Sequence, residues 1–116
     1  MFRVLLALLI CFTGISKLQA QAHSIARQWN EVLLESIRND LARPTVHARN
    51  LFHHSVAMYD IWAVYHGNAQ TYFLGKINGE FISDFESFTY NGNMEEAREE
   101  AISYASMRLL KHRFQF

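Results

Sequence analysis

The segment from Arg43 to Tyr65 contains the side chains whose types and spacing come closest to a chemical site. It holds three of the six histidines of the 116-residue chain. On a helix, Arg49, His53 and Asp60 would fall within about 40° of one another and form one polar stripe. His53 and Asp60 would nevertheless lie about 10 Å apart along the helix axis, too far for a direct hydrogen bond. We therefore expect Asp60 to be structural and to pair with an arginine or a backbone donor from another element.

The spacing of residues gives little support to metal binding or to nucleophilic catalysis. A helical metal site needs ligands three or four residues apart, and the histidines at 47, 53, 54 and 66 provide no such pair. A nucleophile needs a nearby base and an oxyanion pocket, and the sequence around Ser36, Ser55 and Ser103 indicates neither. No G-x-S-x-G, Walker or Rossmann glycine pattern is present. The sequence thus predicts no catalytic, cofactor-binding or metal-binding residue in this chain.

Residues 1–22 have the pattern of a secretory signal peptide. They contain a basic Arg3, an apolar run from Val4 to Ile15 and an A-x-A site at Ala20-Gln21-Ala22. The run is well below the roughly 20 residues of a membrane-spanning helix. We expect export to the periplasm or the medium, with cleavage after Ala22 or, alternatively, after Ala20, and no stable membrane span after signal removal.

Residues 23–116 remain after this cleavage, without the single cysteine of the chain. A lipoprotein that uses Cys11 is disfavoured, because bulky residues precede it. Nine basic and eleven acidic side chains remain, a formal charge of about −2. Packing alone must stabilise this segment, since it has no disulfide. There is also no basic surplus that would favour nucleic acid as a partner.

The periodicity of apolar residues predicts three main helices. The first spans 24–41, is amphipathic and can be capped by Ser24. The second begins near Pro44 or Thr45, where proline fits the first turn and threonine can cap, and should end at Gly67-Asn68. The third begins at residue 94, after a capping box formed by Asn93 and the residue three positions later. Its first turns are acidic and its last turn is basic, as the helix dipole favours.

The second helix is the most apolar of the three and would be central to a bundle. One broad face contains Ala48, Leu51, Phe52, Met58, Tyr59 and Trp62. Its second half is apolar on nearly all sides, which is typical of a helix surrounded by others. Between the second and third helices, Asn78-Gly79 separates two apolar runs and predicts a small hairpin. The fold class is therefore all-α, a helical bundle fragment with a hairpin-like insertion.

Several residues of the first two helices together resemble a known group of proteins. They are Trp29-Asn30, Arg38, Pro44, Ala48-Arg49, His53 and Ala57-Met58-Tyr59-Asp60. This combination resembles the amino-terminal helices of bacterial proteins related to vanadium-dependent haloperoxidases, within the type 2 phosphatidic acid phosphatase superfamily. The third helix also resembles the next helix of that group, so the resemblance covers roughly residues 26–114.

The resemblance implies an all-α fold and a vanadate or phosphate site built from segments that follow these helices. The family binds the anion through a lysine and an Arg-Pro pair, a Pro-Ser-Gly-His segment, and a Ser-Arg segment followed by histidine. Arg43-Pro44 does not fit, because the lysine would fall at Ser36. Pro44 is the single proline, which excludes Pro-Ser-Gly-His. No catalytic residue is carried over, and vanadate or phosphate is implied only for a complete family member.

Two functions follow as hypotheses from these patterns. The first is the amino-terminal scaffold of an exported haloperoxidase-like or acid phosphatase-like protein, truncated before the anion site, inactive alone and partnered by the rest of that domain. Three helices with large apolar faces exceed what 94 residues can cover. The alternative is a small secreted helical interaction module that dimerises or docks on a partner.

Overall fold

The protein is mostly helical, in agreement with the predicted all-α class. The computed structural model describes residues 23–86 and 88–114. They form helices α1 (Ile25–Arg38), α2 (Pro44–Val64) and α3 (Met94–Phe114), with strands β1 (Ile77–Asn78) and β2 (Phe81–Ile82) between α2 and α3. The predicted signal peptide, residues 1–22, lies outside the described residues.

The starts of α1 and α3 are capped by the side chains that the sequence indicates. The Ser24 hydroxyl accepts a hydrogen bond from the backbone N–H of Arg27 at 3.4 Å. The Asn93 side-chain oxygen accepts from the backbone N–H groups of Glu95 and Glu96, at 3.1 and 3.4 Å. These bonds satisfy donors that a helix leaves unpaired in its first turn.

Both ends of α2 differ from the prediction. The helix begins at Pro44, and Arg43 occupies the cap position without a side-chain bond, so Thr45 lies inside the first turn and does not cap. The last helical residue is Val64, whereas the predicted end was Gly67-Asn68. The chain leaves the helix earlier because it tightens into a turn, in which the N–H of His66 donates to the carbonyl of Ala63 at 3.1 Å.

The hairpin between α2 and α3 is confirmed and is very short. Ile77 pairs with Ile82 and Asn78 pairs with Phe81 in antiparallel register. Gly79 has a φ of 63°, a left-handed conformation that glycine adopts without the cost other residues incur. The two strands form only a small insertion in a helical fold.

Helix α3, rather than α2, occupies the middle of the described bundle. It packs extensively against both α1 and α2, while α1 and α2 touch each other only slightly. The Trp29 indole N–H donates to the Ser103 hydroxyl at 3.0 Å and joins α1 to α3. The prediction that the second helix is central is therefore wrong for these residues, because its apolar second half is covered partly by the connection to α3 instead of by helices on all sides.

The buried face of α2 also differs from its predicted apolar face. Asn50, His54 and Met58, spaced four residues apart, are buried. Phe52 and Tyr59, both placed on the apolar face by the sequence, are 47% and 45% exposed. Helix α3 buries Ile102, Ser106 and Leu110 at the same spacing. Both helices therefore bury one strip of residues that includes small or polar side chains, and the larger aromatic residues of α2 lie beside it.

No helix within residues 23–86 and 88–114 is long and apolar enough to cross a membrane. Helices α2 and α3 each have 21 residues, but α2 carries Arg49 and Asp60 near its two ends and α3 is rich in charged side chains.

Candidate functional site

The carboxylate of Asp60 holds the chain segment that follows α2. Asp60 is buried, and its Oδ1 accepts a hydrogen bond from the backbone N–H of Tyr72. Its Oδ2 accepts from the N–H groups of Phe73 and Leu74, both at 2.9 Å. The prediction that Asp60 pairs with a donor from another element is confirmed, and the donors are backbone amides. Three such bonds compensate for the burial of the charge.

Further contacts fix the same segment, residues 70–74, which we call the anchor loop. The Tyr59 hydroxyl donates to the carbonyl of Gln70 at 3.0 Å. The Thr71 hydroxyl donates to the carbonyl of Leu74 at 2.6 Å within the loop. The Phe52 ring meets Tyr72 edge to face, with centroids 6.1 Å apart. Two consecutive residues of α2, Tyr59 and Asp60, therefore serve to position the anchor loop.

His53 contacts α3 through Arg113. The Arg113 Nη2 donates to the His53 Nδ1 at 2.8 Å. Burial lowers the pKa of His53, and the charges of Arg113 and Arg49 lower it further. The ring is therefore neutral near pH 7, which leaves Nδ1 able to accept this bond. The structure brings Arg49 and His53 near each other, but Asp60 binds the anchor loop instead of His53.

A group of buried polar side chains lies on the faces of α2 and α3 that pack together, and the sequence did not predict it. His54 and Ser106 are fully buried, and Asn50 is 3% exposed. Both ring nitrogens of His54, the Asn50 Oδ1 and the Ser106 Oγ have no hydrogen-bond partner among the described residues. Burial lowers the pKa of His54 because the charged ring would lose its solvation. Only the four-residue spacing of Asn50, His54 and Met58 could have indicated this face.

The other histidines of the second predicted helix and the serines that were considered as nucleophiles make no hydrogen bonds to one another within the described residues. The His47 ring bonds to the carbonyl of Leu41 at 2.9 Å, and the His66 ring stacks on Trp62 with centroids 4.5 Å apart. The Ser36 hydroxyl donates to the carbonyl of Val32 within α1 at 2.8 Å. Ser103 accepts from α1, as described above, and Ser55 is exposed. No serine in the described ranges is hydrogen-bonded to a histidine.

Metal ligands do not converge in the described part of the chain. No group of three or more histidine, cysteine, aspartate or glutamate side chains there is arranged to hold an ion. The open cleft of about 550 Å³ at the end of α2 contains His66 and Lys76 but no carboxylate. The hydrogen bonds of His53, Tyr59 and Asp60 support structural roles for these three residues of α2.

No protein-family model, curated protein or solved structure matches this chain. The family resemblance of the first two helices therefore stays a prediction.

We expect Asp60→Asn to destabilise the protein by about 1–3 kcal/mol, because the amide loses the charge and turns a donor toward backbone N–H groups. The free energy of unfolding in urea measures this loss. Asp84→Asn is the matched control, since Asp84 is exposed, and its effect should stay within about 0.5 kcal/mol. If both substitutions have equal effects and the amides of residues 72–74 keep their hydrogen-exchange protection, Asp60 does not hold the anchor loop.

We expect the stability of the protein to fall in mild acid because of His54. Its pKa in the folded protein is below the ordinary value of 6.5, so the unfolded chain binds the proton more readily. The contribution is present above about pH 6.5 and is lost as the pH falls toward the folded pKa. Unfolding midpoints measured between about pH 8 and 5 should decrease with acid in the unmodified protein.

His54→Leu should reduce this pH dependence, because it replaces an unpaired buried ring by an apolar side chain. The part that remains is expected from His53, whose pKa is also lowered by burial and by the charges of Arg113 and Arg49. His112→Gln is the control, as His112 is exposed. His112→Gln should leave the slope unchanged, and retention of the full slope by His54→Leu would contradict the contribution of His54.

Proposed function

We propose that this chain is the amino-terminal helical scaffold of an exported protein related to vanadium-dependent haloperoxidases. One observation carries the proposal: consecutive residues of the family-like segment have structural contacts. Met58 is buried, Tyr59 binds the anchor loop through its hydroxyl, and Asp60 binds the same loop with both oxygens. Because the polar groups of this segment are occupied by structural hydrogen bonds, they favour a scaffold role over a catalytic role.

Few residues in the described part of this chain are buried, which suggests that other protein surface covers its exposed apolar side chains. Among the described residues, the buried set consists of five apolar and five polar or charged side chains. Large apolar side chains of α2, including Leu51, Phe52 and Tyr59, are at least 40% exposed. Apolar surface of this kind is normally covered by neighbouring elements or partners. In the proposed scaffold, the rest of the haloperoxidase-like domain covers it.

The residues present do not fit the anion site of the family. Vanadate or phosphate needs several convergent donors. In the described residues, Arg49, His53 and Arg113 supply two guanidinium groups beside one imidazole, and one Arg113 nitrogen already bonds to His53. The proposed scaffold therefore contributes no ligand to the anion, and we derive no catalytic step from it.

The alternative function, a secreted helical module that dimerises or docks on a partner, is favoured by one observation. Phe52, Tyr72 and Phe73 form an aromatic cluster in which each ring meets the others nearly edge to face, and all three rings are more than one-third exposed. Exposed aromatic residues are enriched at interfaces between proteins.

A titration with vanadate and with phosphate tests the scaffold proposal. We expect no binding at micromolar concentrations, and a melting temperature that does not change with protein concentration. Micromolar binding that His53→Ala abolishes without unfolding the chain would contradict the scaffold and indicate an anion site. A melting temperature that rises with protein concentration would support the dimerising module instead.

Export is tested by expressing the full chain with a carboxyl-terminal tag in a bacterium and sequencing the amino terminus of the product. We expect the exported product to begin at His23, or at Gln21 if cleavage follows Ala20. Leu8→Arg should block export, because it places a charge in the apolar run, whereas Lys17→Gln outside that run should not. A product that retains Met1 inside the cell would contradict the predicted signal peptide.

A further inference from the structure

A shallow groove lies beside the first half of α3 and is distinct from the contacts that hold the anchor loop. Its volume is about 320 Å³. Its lining combines three aromatic rings, two small side chains and one carboxylate: Tyr65, Tyr90, Tyr104, Ala97, Ala101 and Glu100. The two alanines have short side chains, so they take up little of the space at the groove.

These groups share a preference for positive charge. The face of a tyrosine ring is negative and attracts an ammonium or guanidinium group within about 6 Å of its centre. A carboxylate beside the rings adds a full negative charge, and Glu100 forms no ion pair within residues 23–86 and 88–114. The combination of several aromatic faces with one free carboxylate is the chemistry by which proteins recognise organic cations.

The charges around the groove favour the same kind of ligand. The start of α3 carries Glu95, Glu96, Glu99 and Glu100, and within the described ranges only Glu95 is paired, with Arg98. The nearby Arg108 lies over the Tyr104 ring, with its Cζ 5.7 Å from the ring centroid, and donates to the Tyr104 hydroxyl at 3.1 Å. Arg108 does not line the groove. Its position shows that the Tyr104 ring accepts a guanidinium group, but the positive charge of Arg108 also opposes a second cation at this ring, so Glu100 must supply the net attraction.

The position of Tyr90 depends on Gly92. A Cβ atom at residue 92 would lie 2.6 Å from the Tyr90 hydroxyl oxygen, closer than such atoms approach. Glycine at this position therefore leaves room for the ring to lie back along its own loop, where it forms one side of the groove. A methyl group at residue 92 would displace the ring without changing any residue that lines the groove.

We propose that the groove formed by Tyr65, Tyr90, Tyr104 and Glu100 binds a small organic cation of the alkylammonium or guanidinium class. The tyrosines provide the aromatic faces, and Glu100 balances the charge. The openness of the groove to solvent limits the affinity to the millimolar range, because water competes for the cation. The proposal does not depend on the proposed scaffold function.

The experiment compares choline with dimethylbutanol, its uncharged carbon isostere, by titration of the full chain followed by NMR. We expect choline to bind about tenfold more tightly, since the two probes differ in charge and scarcely in shape. Glu100→Gln should weaken choline binding about fivefold and leave dimethylbutanol unaffected. Tyr104→Leu and Gly92→Ala should each weaken choline as well, the first by removing a ring and the second by displacing one.

Glu99→Gln is the matched control, because it removes a neighbouring exposed charge from α3 outside the groove. It should change choline binding less than twofold, because solvent and salt screen the charge of Glu99 from a cation in the groove. Circular dichroism confirms that each variant keeps its helices. Equal affinity for choline and dimethylbutanol, or equal weakening by Glu99→Gln and Glu100→Gln, would overturn the proposal. Absence of choline binding at concentrations well above the millimolar range would do the same.

Discussion

The hydrogen bonds from three backbone amides to the Asp60 carboxylate are the interaction on which the arrangement between α2 and α3 depends. The connection between these helices is long, and its only regular structure in the described ranges is the two-residue strands of the hairpin. Long connections of this kind are fixed by specific contacts or are mobile. Asp60 lies one turn before the end of α2, so its carboxylate determines where the chain turns back after the helix. Charge-assisted bonds to backbone amides suit this role, because they depend little on the side chains of the loop.

Helices α2 and α3 bury few apolar side chains, and polar side chains are buried beside them. Leu110 and Ile102 provide apolar burial on α3, but Ser106 of α3 and His54 of α2 are also fully buried. A buried polar group without a partner costs free energy, and small domains have little to spare. The bundle therefore relies on contacts at its edges, and the Arg113–His53 hydrogen bond is one of them. That bond requires a neutral ring, and the lowered pKa of His53, caused first by burial and then by the charge of Arg113, favours the neutral form.

The features that could be predicted from sequence are those set by neighbouring residues. Ser24 and Asn93 cap helices because their side chains reach the adjacent backbone, and Gly79 forms a turn because of its own conformational freedom. The need of Asp60 for a partner also followed from the cost of a buried charge. The buried face of α2 was predicted only at Met58, because apolar periodicity also selects Phe52 and Tyr59 while tertiary packing buries Asn50 and His54. A rule based on hydrophobicity alone cannot identify an interface whose close approach depends on small and polar residues.

The groove formed by Tyr65, Tyr90, Tyr104 and Glu100 could not be predicted from the sequence for a related reason. Tyr65, Tyr90 and Tyr104 belong to the end of α2, the connection and the middle of α3, and no local pattern links them. They meet only in the folded chain, where the end of α2 and the last part of the connection lie beside α3. The Asp60 carboxylate is thus used for structure, whereas Glu100, on the ordinary acidic start of a helix, has no ion pair among the described residues and lies at the groove with the tyrosines. Asp60 holds the connection that follows α2 and His53 joins α2 to α3, and the proposed binding site lies where that connection reaches α3.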